Sequence, residues 1–425
     1  MSLLQSYRKM NLGTRILIAM LVGIAFGFIF KGAFASWGQV TTPIGDVFIR
    51  LLRMVILPLI FFSIVSGISS VADLNKAKKV GGIFVSYWFL SSLIAATIGA
   101  LWTFIIRPGV GIQLAEKGEW STEGVNLLQS LINWIPDNVP AAFANGNILQ
   151  VIVFSLFLGV AVALLGKTTE FGSTLSNFFS AGNAAMMKLV GIIMELAPIG
   201  VFALMANVTG SLGTEVLTGL TKMLATQYIA YATVIVLVYP LILKLVARVN
   251  PLQHYANVYP AMVLAFSTCS SAATLPLTMK TTHENAGVPE TTVGLIAPPA
   301  ATINMHAVAA EMAIYAIFAS QIYGFNLSIG NLITIVILGV LMAAGCGGVP
   351  GGGIMMAAIL LEIMGLPLTI VPWIAGIYRL IDMPNTMLNI TGDTVGMVTT
   401  SSLVGELDRD VFNSKKDAAQ RSASV

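Results

Sequence analysis

Residues Ala344 to Gly353 read Ala-Gly-Cys-Gly-Gly-Val-Pro-Gly-Gly-Gly, at the centre of an apolar segment, 330–368, long enough to enter a bilayer. No continuous helix should cross six glycines and a proline. A second apolar segment, 258–280, is interrupted by Ser267-Thr268-Cys269-Ser270-Ser271-Ala272-Ala273 and then by Pro276. Each reads as two half-helices meeting at a small-residue tip, a re-entrant hairpin. Non-helical backbone at membrane depth survives only where protein buries it or water reaches it. The other reading is a pair of kinked spanning helices packed through small residues. Two interrupted segments of this kind point to a transporter binding site.

A membrane setting is required by the rest of the chain. Of its 425 residues, 56% are hydrophobic and 10% are charged; an ordinary soluble domain carries about 25% charged residues. That excludes a soluble globular enzyme, a disordered protein and a nucleic-acid binder, and a net charge of +3 implies no polyanionic partner. Two cysteines, Cys269 and Cys346, make neither a disulfide framework nor a thiol metal cluster. Arg8, Lys9 and Arg15 precede an apolar run, 16–30, without a small-residue cleavage site, which reads as a first membrane helix rather than a removed signal.

Spanning helices are expected at 14–32, 44–71, 80–107, 141–166, 184–210 and 223–247. The loop at 72–79 carries Lys76, Lys78 and Lys79, which suits the cytoplasm. The loop at 108–138 carries Glu116, Glu119, Glu123 and Asp137 against Lys117 alone, which suits the outside, and Lys244 and Arg248 return the chain inward. Between the hairpins, 291–322 holds Pro298-Pro299 and then Ala301-Thr302-Ile303-Asn304-Met305-His306. After them, 370–404 holds Arg379, Asp382, Asn385, Thr386, Asn389 and Asp393 at helical spacing. Charges there should face a cavity or each other. No HExxH, GxSxG or paired-aspartate motif supports an enzyme, and no repeated filter or polar stripe supports a channel. The polar residues at 406–425 read as a short cytoplasmic tail with little fixed structure.

Four ordered motifs carry a specific resemblance: Ser270-Ser271 with Thr274-Leu275-Pro276, Ala301 to Met305, Gly347 to Gly351, and Asn385 to Asp393. Nearly the whole chain resembles the dicarboxylate/amino acid:cation symporter family, the glutamate-transporter fold. The resemblance implies an all-α polytopic membrane protein of eight transmembrane helices plus two re-entrant helical hairpins, an elevator-type transporter assembled as a homotrimer in the lipid bilayer. Scaffold helices would occupy 1–79 and 141–210; a transport domain would take 80–107, 223–247 and 258–405, with the second hairpin as its gate. The expected setting is a bacterial inner membrane with both termini cytoplasmic.

The resemblance also assigns site residues, with Na+ as coupling ion and no organic cofactor. One sodium site would use Asn304, Asn389, Asp393 and the carbonyl of Ala300; a second would use carbonyls at Thr302, Ala343, Ala344 and Cys346. Hard oxygen ligands around one negative charge suit a monovalent cation better than calcium. A third site would use Ser91, Ser92 and Asn304, but the family's carboxylate falls at His306 and its tyrosine at Trp88, so this site is expected to be weak or absent. His306 is either a neutral, hydrogen-bonded residue or a proton carrier in place of that sodium.

For substrate, Asp382 matches the family carboxylate that receives an amino group. The arginine that acidic-substrate relatives use is here Asn385, and its companion carboxylate is Tyr378, so a neutral amino acid is the expected guest. Thr386 and Asn389 would meet its backbone groups, and Ser270, Ser271 and the backbone from Val349 to Gly351 its α-carboxylate. Arg379 is expected either to pair with Asp382 or Glu311 or to reach the substrate and restore acidic recognition. Cys269 and Cys346 are expected to approach each other when the gate closes. The rival expectation is a proton-coupled carrier of dicarboxylate or acidic amino acid using His306, Glu311 and Arg379.

Overall fold

The computed structural model describes residues 10, 12–69, 74–112, 132, 134–166, 169–211, 214–346, 348 and 351–414. Arg8, Lys9, Glu116, Lys117, Glu119, Glu123, Val349 and the residues after 414 lie outside them, so expectations resting on those positions find no structural counterpart. The described residues form helices and no strands.

The apolar segments begin earlier, and bend more, than periodicity alone suggests. The second helix runs over Phe34–Ser69 rather than from 44, and the stretch Thr14–Ile29 meets Lys31–Leu51 at 77°. The third helix starts at Leu74, so Lys76, Lys78 and Lys79 begin a helix instead of forming a loop. The span expected at 184–210 is two helices, Glu170–Glu195 and Ala197–Ser211, bent by 53°. Pro198 lies at that bend, where its missing N–H cannot continue the hydrogen-bond ladder. Among the described residues three helices are long and apolar enough to cross a membrane, or up to five if each bent pair is one span.

Two packing groups are apparent. Leu12–Ile29 lies along Ala197–Ser211, and Phe34–Ser69 packs on Ile148–Leu165, Glu170–Glu195 and Ala197–Ser211. Leu74–Ile106 packs instead on His306–Tyr323, Thr214–Thr233 and Val371–Val404. The helix from Thr214 continues through two wide π-type turns, Val234–Val238 and Leu243–Ala247. They flank Tyr239-Pro240, where proline has no N–H to donate.

Both interruptions are present where the small residues predict them. Asn250 caps the helix Pro251–Thr268 through Leu252 N–H. The chain then turns through Cys269 in the left-handed region, φ 54°, and Ser270 caps Ser271–Glu284 by accepting from Ala273 N–H. These two helices pack on each other. The second interruption separates Ile329–Gly345, opened by a Ser328–Asn331 capping box, from Gly352–Ile363. Gly351, at φ 83°, makes the turn into the returning helix.

The segment between the hairpins also breaks. Glu290–Ile303 stops at Asn304, and His306–Tyr323 restarts two residues later. From His306 to Ser320 every residue is buried, so this second half runs through the protein interior. The 406–425 segment corrects its expectation in part. Asp408 caps a helix, Arg409–Asn413, Phe412 is fully buried, and Arg409 donates to the carbonyl of Arg248 at 2.9 Å. An apolar anchor and a cap fix what composition presents as a loose tail.

Candidate functional site

The interruptions converge on one place. Cys269 and Ser271 from the first tip, Cys346, Gly348 and Gly353 from the second, and Asp382, Asn385 and Asn389 from Val371–Val404 line a common cavity of about 10 Å3. A volume of that size holds about one water. The two cysteines thus face the same enclosed space.

The tips are joined through one carbonyl. Gly348 O accepts from Ser270 Oγ at 3.1 Å and from Ala272 N–H at 3.3 Å. A Cβ at Gly348 would come within 2.6 Å of Ala301 O and 3.0 Å of the Ser271 side chain, so only glycine allows this approach. Asp382 holds the other side of the second tip: its Oδ2 accepts from Gly351 N–H at 3.1 Å and its Oδ1 from Thr386 Oγ1 at 3.3 Å. The hydroxyl and carboxylate expected to meet substrate therefore bind the hairpin itself in this conformation.

A chain of amides runs beside them. Ala307 N–H, in the first turn of His306–Tyr323, donates to Asn389 Oδ1 at 2.8 Å. Asn389 Nδ2 donates to Asn385 Oδ1 at 2.8 Å, and Asn385 Nδ2 donates to Glu311 Oε2. Glu311 is wholly buried, and its other oxygen has no hydrogen-bond partner. Arg379 forms no ion pair with Asp382 or Glu311; it is half-buried and donates to the carbonyl of Ser267 at 3.0 Å. The expected charge pair is thus replaced by an arginine that ties the Asp382 helix to the end of the first half-helix.

About three turns beyond Asp382 on the same helix lies another buried carboxylate. Asp393 Oδ1 accepts from Asn304 Nδ2 at 2.7 Å, and both residues are buried. Asn304 Oδ1 has no partner. The helix break places it there, since Asn304 N–H closes the last turn onto Ala300 O at 2.9 Å. Asn389 is oriented toward Ala307 and Asn385 rather than toward this pair. Of the carbonyls expected for a second site, Ala343 O accepts from Cys346 N–H at 3.2 Å.

His306 is held at both ring nitrogens, by Ser91 Oγ at 2.6 Å and Tyr239 Oη at 2.8 Å. Tyr239 Oη also donates to Leu388 O at 3.1 Å. Ser91 is thereby engaged by the imidazole, while Ser92 Oγ is buried without a partner. Sequence reasoning missed Tyr239: nothing in its apolar helix marks it except the adjoining proline. It also missed Tyr231 and Tyr315, which lie near Glu311.

Broken helices, a shared tip contact and buried carboxylates off any catalytic geometry agree with a binding site for small polar solutes inside a membrane protein. The model of the sodium:dicarboxylate symporter family matches residues 12–403.

The chain belongs to the sodium:dicarboxylate symporter family.

It is similar to the proton/sodium-glutamate symport protein of Geobacillus stearothermophilus, at 30% identity over 418 residues, covering 95% of this chain and 97% of that one. It is similar to a C4-dicarboxylate transport protein of Bacillus subtilis (strain 168), at 30% identity, covering 94% of each chain. Against a C4-dicarboxylate transport protein of Rhizobium johnstonii the identity is 32%, with 93% and 90% covered. As a member of this symporter family the protein is an integral membrane transporter and not an enzyme. The description of the family carries cation coupling in its name.

Proposed function

We propose that this transporter is a sodium-driven symporter of a small neutral amino acid, working by an elevator motion within a homotrimer, with both termini in the cytoplasm. The observation that carries sodium coupling is the Asn304–Asp393 pair. It offers a buried carboxylate with a neutral donor and, beside it, an amide oxygen without a partner. Hard oxygens around one negative charge attract a small monovalent cation. Bound there, sodium would supply the positive charge that a buried carboxylate needs. Ala300 and Asn389 adjoin through the same helix break and would turn their oxygens to the ion as it enters; Thr302, Ala343, Ala344 and Cys346 would do so at a second site when the tips part.

Substrate would displace the contacts that now close the cavity. Asp382 would exchange Gly351 N–H for an ammonium, and Ser270, Ser271 and the half-helix N-termini would take the α-carboxylate. Thr386 and Asn389 would complete the contact. The second tip, released from Asp382 and Ser270, is the natural gate. Its glycines contribute backbone instead of side-chain bonds, so it opens at small cost. Asn385 faces Glu311 and not an arginine, which is why an acidic side chain is disfavoured.

A second reading keeps the fold and takes a glutamate or C4-dicarboxylate with protons, using His306, Glu311 and Arg379. The names of the relatives favour it. Against it stand the two neutral partners of His306 and the Ser267 contact of Arg379. Thermal unfolding of the purified protein in sodium or choline chloride, with serine, alanine, glutamine, aspartate or succinate, separates the readings. Stabilisation by a neutral amino acid in sodium alone is expected. Stabilisation by aspartate or succinate alone, indifferent to sodium, would reject the first reading.

A further inference from the structure

Glu311 is the buried carboxylate for which the neutral-substrate reading has no role. It is wholly buried; Asn385 donates to Oε2, while Oε1 has the Tyr315 and Tyr378 hydroxyls near it and no donor at full hydrogen-bond geometry. A Cβ on Gly353, which lines the cavity, would collide with Glu311 Oε1 and with Tyr378 Oη. The carboxylate oxygen therefore lies directly against the first turn of the gate helix. Glycine there is what lets it do so.

The direction of the amide chain adds a second, independent observation. Every donor in it points toward Glu311: Ala307 N–H to Asn389, Asn389 to Asn385, Asn385 to Glu311. A carboxylate only accepts, so it fixes which end of each amide faces which neighbour. Asn385 consequently directs an amide N–H at Glu311 and its carbonyl at Asn389. Around the carboxylate stand Tyr231, Tyr315 and Tyr378; the hydroxyls of Tyr315 and Tyr378 turn toward it, and Gln227 lies beyond Tyr315. No cation forms an ion pair with Glu311 or Asp382 among the described residues.

Resting on the cavity as the substrate site, we propose that Glu311 sets substrate class: it selects an α-amino acid whose side chain donates a hydrogen bond. A hydroxyl or amide entering beside Gly353 would reach Oε1 next to the Tyr378 hydroxyl that lines the cavity. A side-chain carboxylate meets two buried carboxylates, Glu311 and Asp382, and like-charge juxtaposition of that kind is strongly disfavoured. A site built to hydrogen-bond one substrate group rejects the isostere lacking it, because its own buried group is left unpaired.

The test is binding in sodium of L-serine, its isostere L-2-aminobutyrate, L-alanine and L-aspartate, by thermal shift or calorimetry. In the unaltered protein serine is expected to bind at least about tenfold more tightly than 2-aminobutyrate or aspartate, about 1.4 kcal/mol. In Glu311→Gln, which removes the charge and retains an acceptor for Asn385, the serine-to-aspartate ratio should shrink at least about tenfold. Equal binding of serine and 2-aminobutyrate by the unaltered protein would overturn the proposal, and that comparison needs no variant to fold. An unchanged serine-to-aspartate ratio in Glu311→Gln would likewise overturn it, by leaving Glu311 no part in excluding a carboxylate. If no amino acid binds in sodium, the neutral-symporter reading falls, and this proposal with it.

Discussion

The helix Val371–Val404 carries two buried carboxylates eleven positions apart in number, Asp382 and Asp393, and they are treated differently. Asp382 receives a backbone N–H from the second tip and a hydroxyl from Thr386, one from each side. Asp393 is paired with an amide, Asn304, whose own oxygen is left without a partner. In the proposed cycle the contact of the first would break as the cavity opens, and the second, which faces the break at Asn304, would take up the cation. The first would then act as a latch and the second as an ion seat.

The sharpest way to break this comparison is Asp393→Asn. Losing the formal charge paired with Asn304 is expected to lower sodium-stimulated uptake by at least about a hundredfold, the equivalent of about 2.7 kcal/mol. Uptake by reconstituted vesicles checks this, and a sodium response like that of the parent protein would remove the ion seat. Gly348→Ala comes next. Its Cβ would press on Ala301 O at 2.6 Å, so the tips should fail to close. Uptake is expected to fall about thirtyfold, with Cys346 becoming more reactive to a membrane-permeant thiol reagent, as expected when a contact worth about 2 kcal/mol is lost.

How far this was legible in the sequence depends on the kind of signal. The tips were legible because Gly, Pro, Ser and Cys break helices locally, and the breaks stand at Cys269–Ser270 and after Gly345 as the composition requires. The halt at Asn304 was marked by the two prolines before it only in part, since the helix runs on past them to Ile303. The pairing of Asn385 with Glu311 was not legible. It joins positions 74 residues apart and depends on which face of each helix turns inward. Periodicity gives a buried face but not its neighbour. The same holds for Tyr239 and His306, 67 residues apart. The Ser267 contact of Arg379 was not legible for a related reason. The arginine's spacing from Asp382 suits an i,i+3 pair, yet the carbonyl at the end of a half-helix, Ser267 O, competes for it and wins.

Smaller effects sharpen the latch. Ser270→Ala removes both the cap on Ala273 N–H and the bond to Gly348 O. A loss of about 1 kcal/mol in stability is expected, with about a fivefold weaker substrate affinity, read by thermal unfolding and by uptake against concentration. An unchanged affinity would mean that the tip contact at Gly348 does not involve the substrate. His306→Gln should change least. An amide keeps one donor and one acceptor for Ser91 and Tyr239, so uptake should stay within about threefold and its pH profile should be the same. A displaced pH profile would make His306 a proton carrier. Arg379→Ala is expected to leave the order of substrates unaltered; a change in that order would bring the arginine into substrate recognition.

The most direct measurement is uptake of serine into vesicles of purified protein under imposed gradients, one ion at a time. The account predicts accumulation that follows an inward sodium gradient, vanishes in choline at every pH, and is lost in Asp393→Asn. Accumulation of aspartate or succinate driven by an inward proton gradient in the absence of sodium would contradict it.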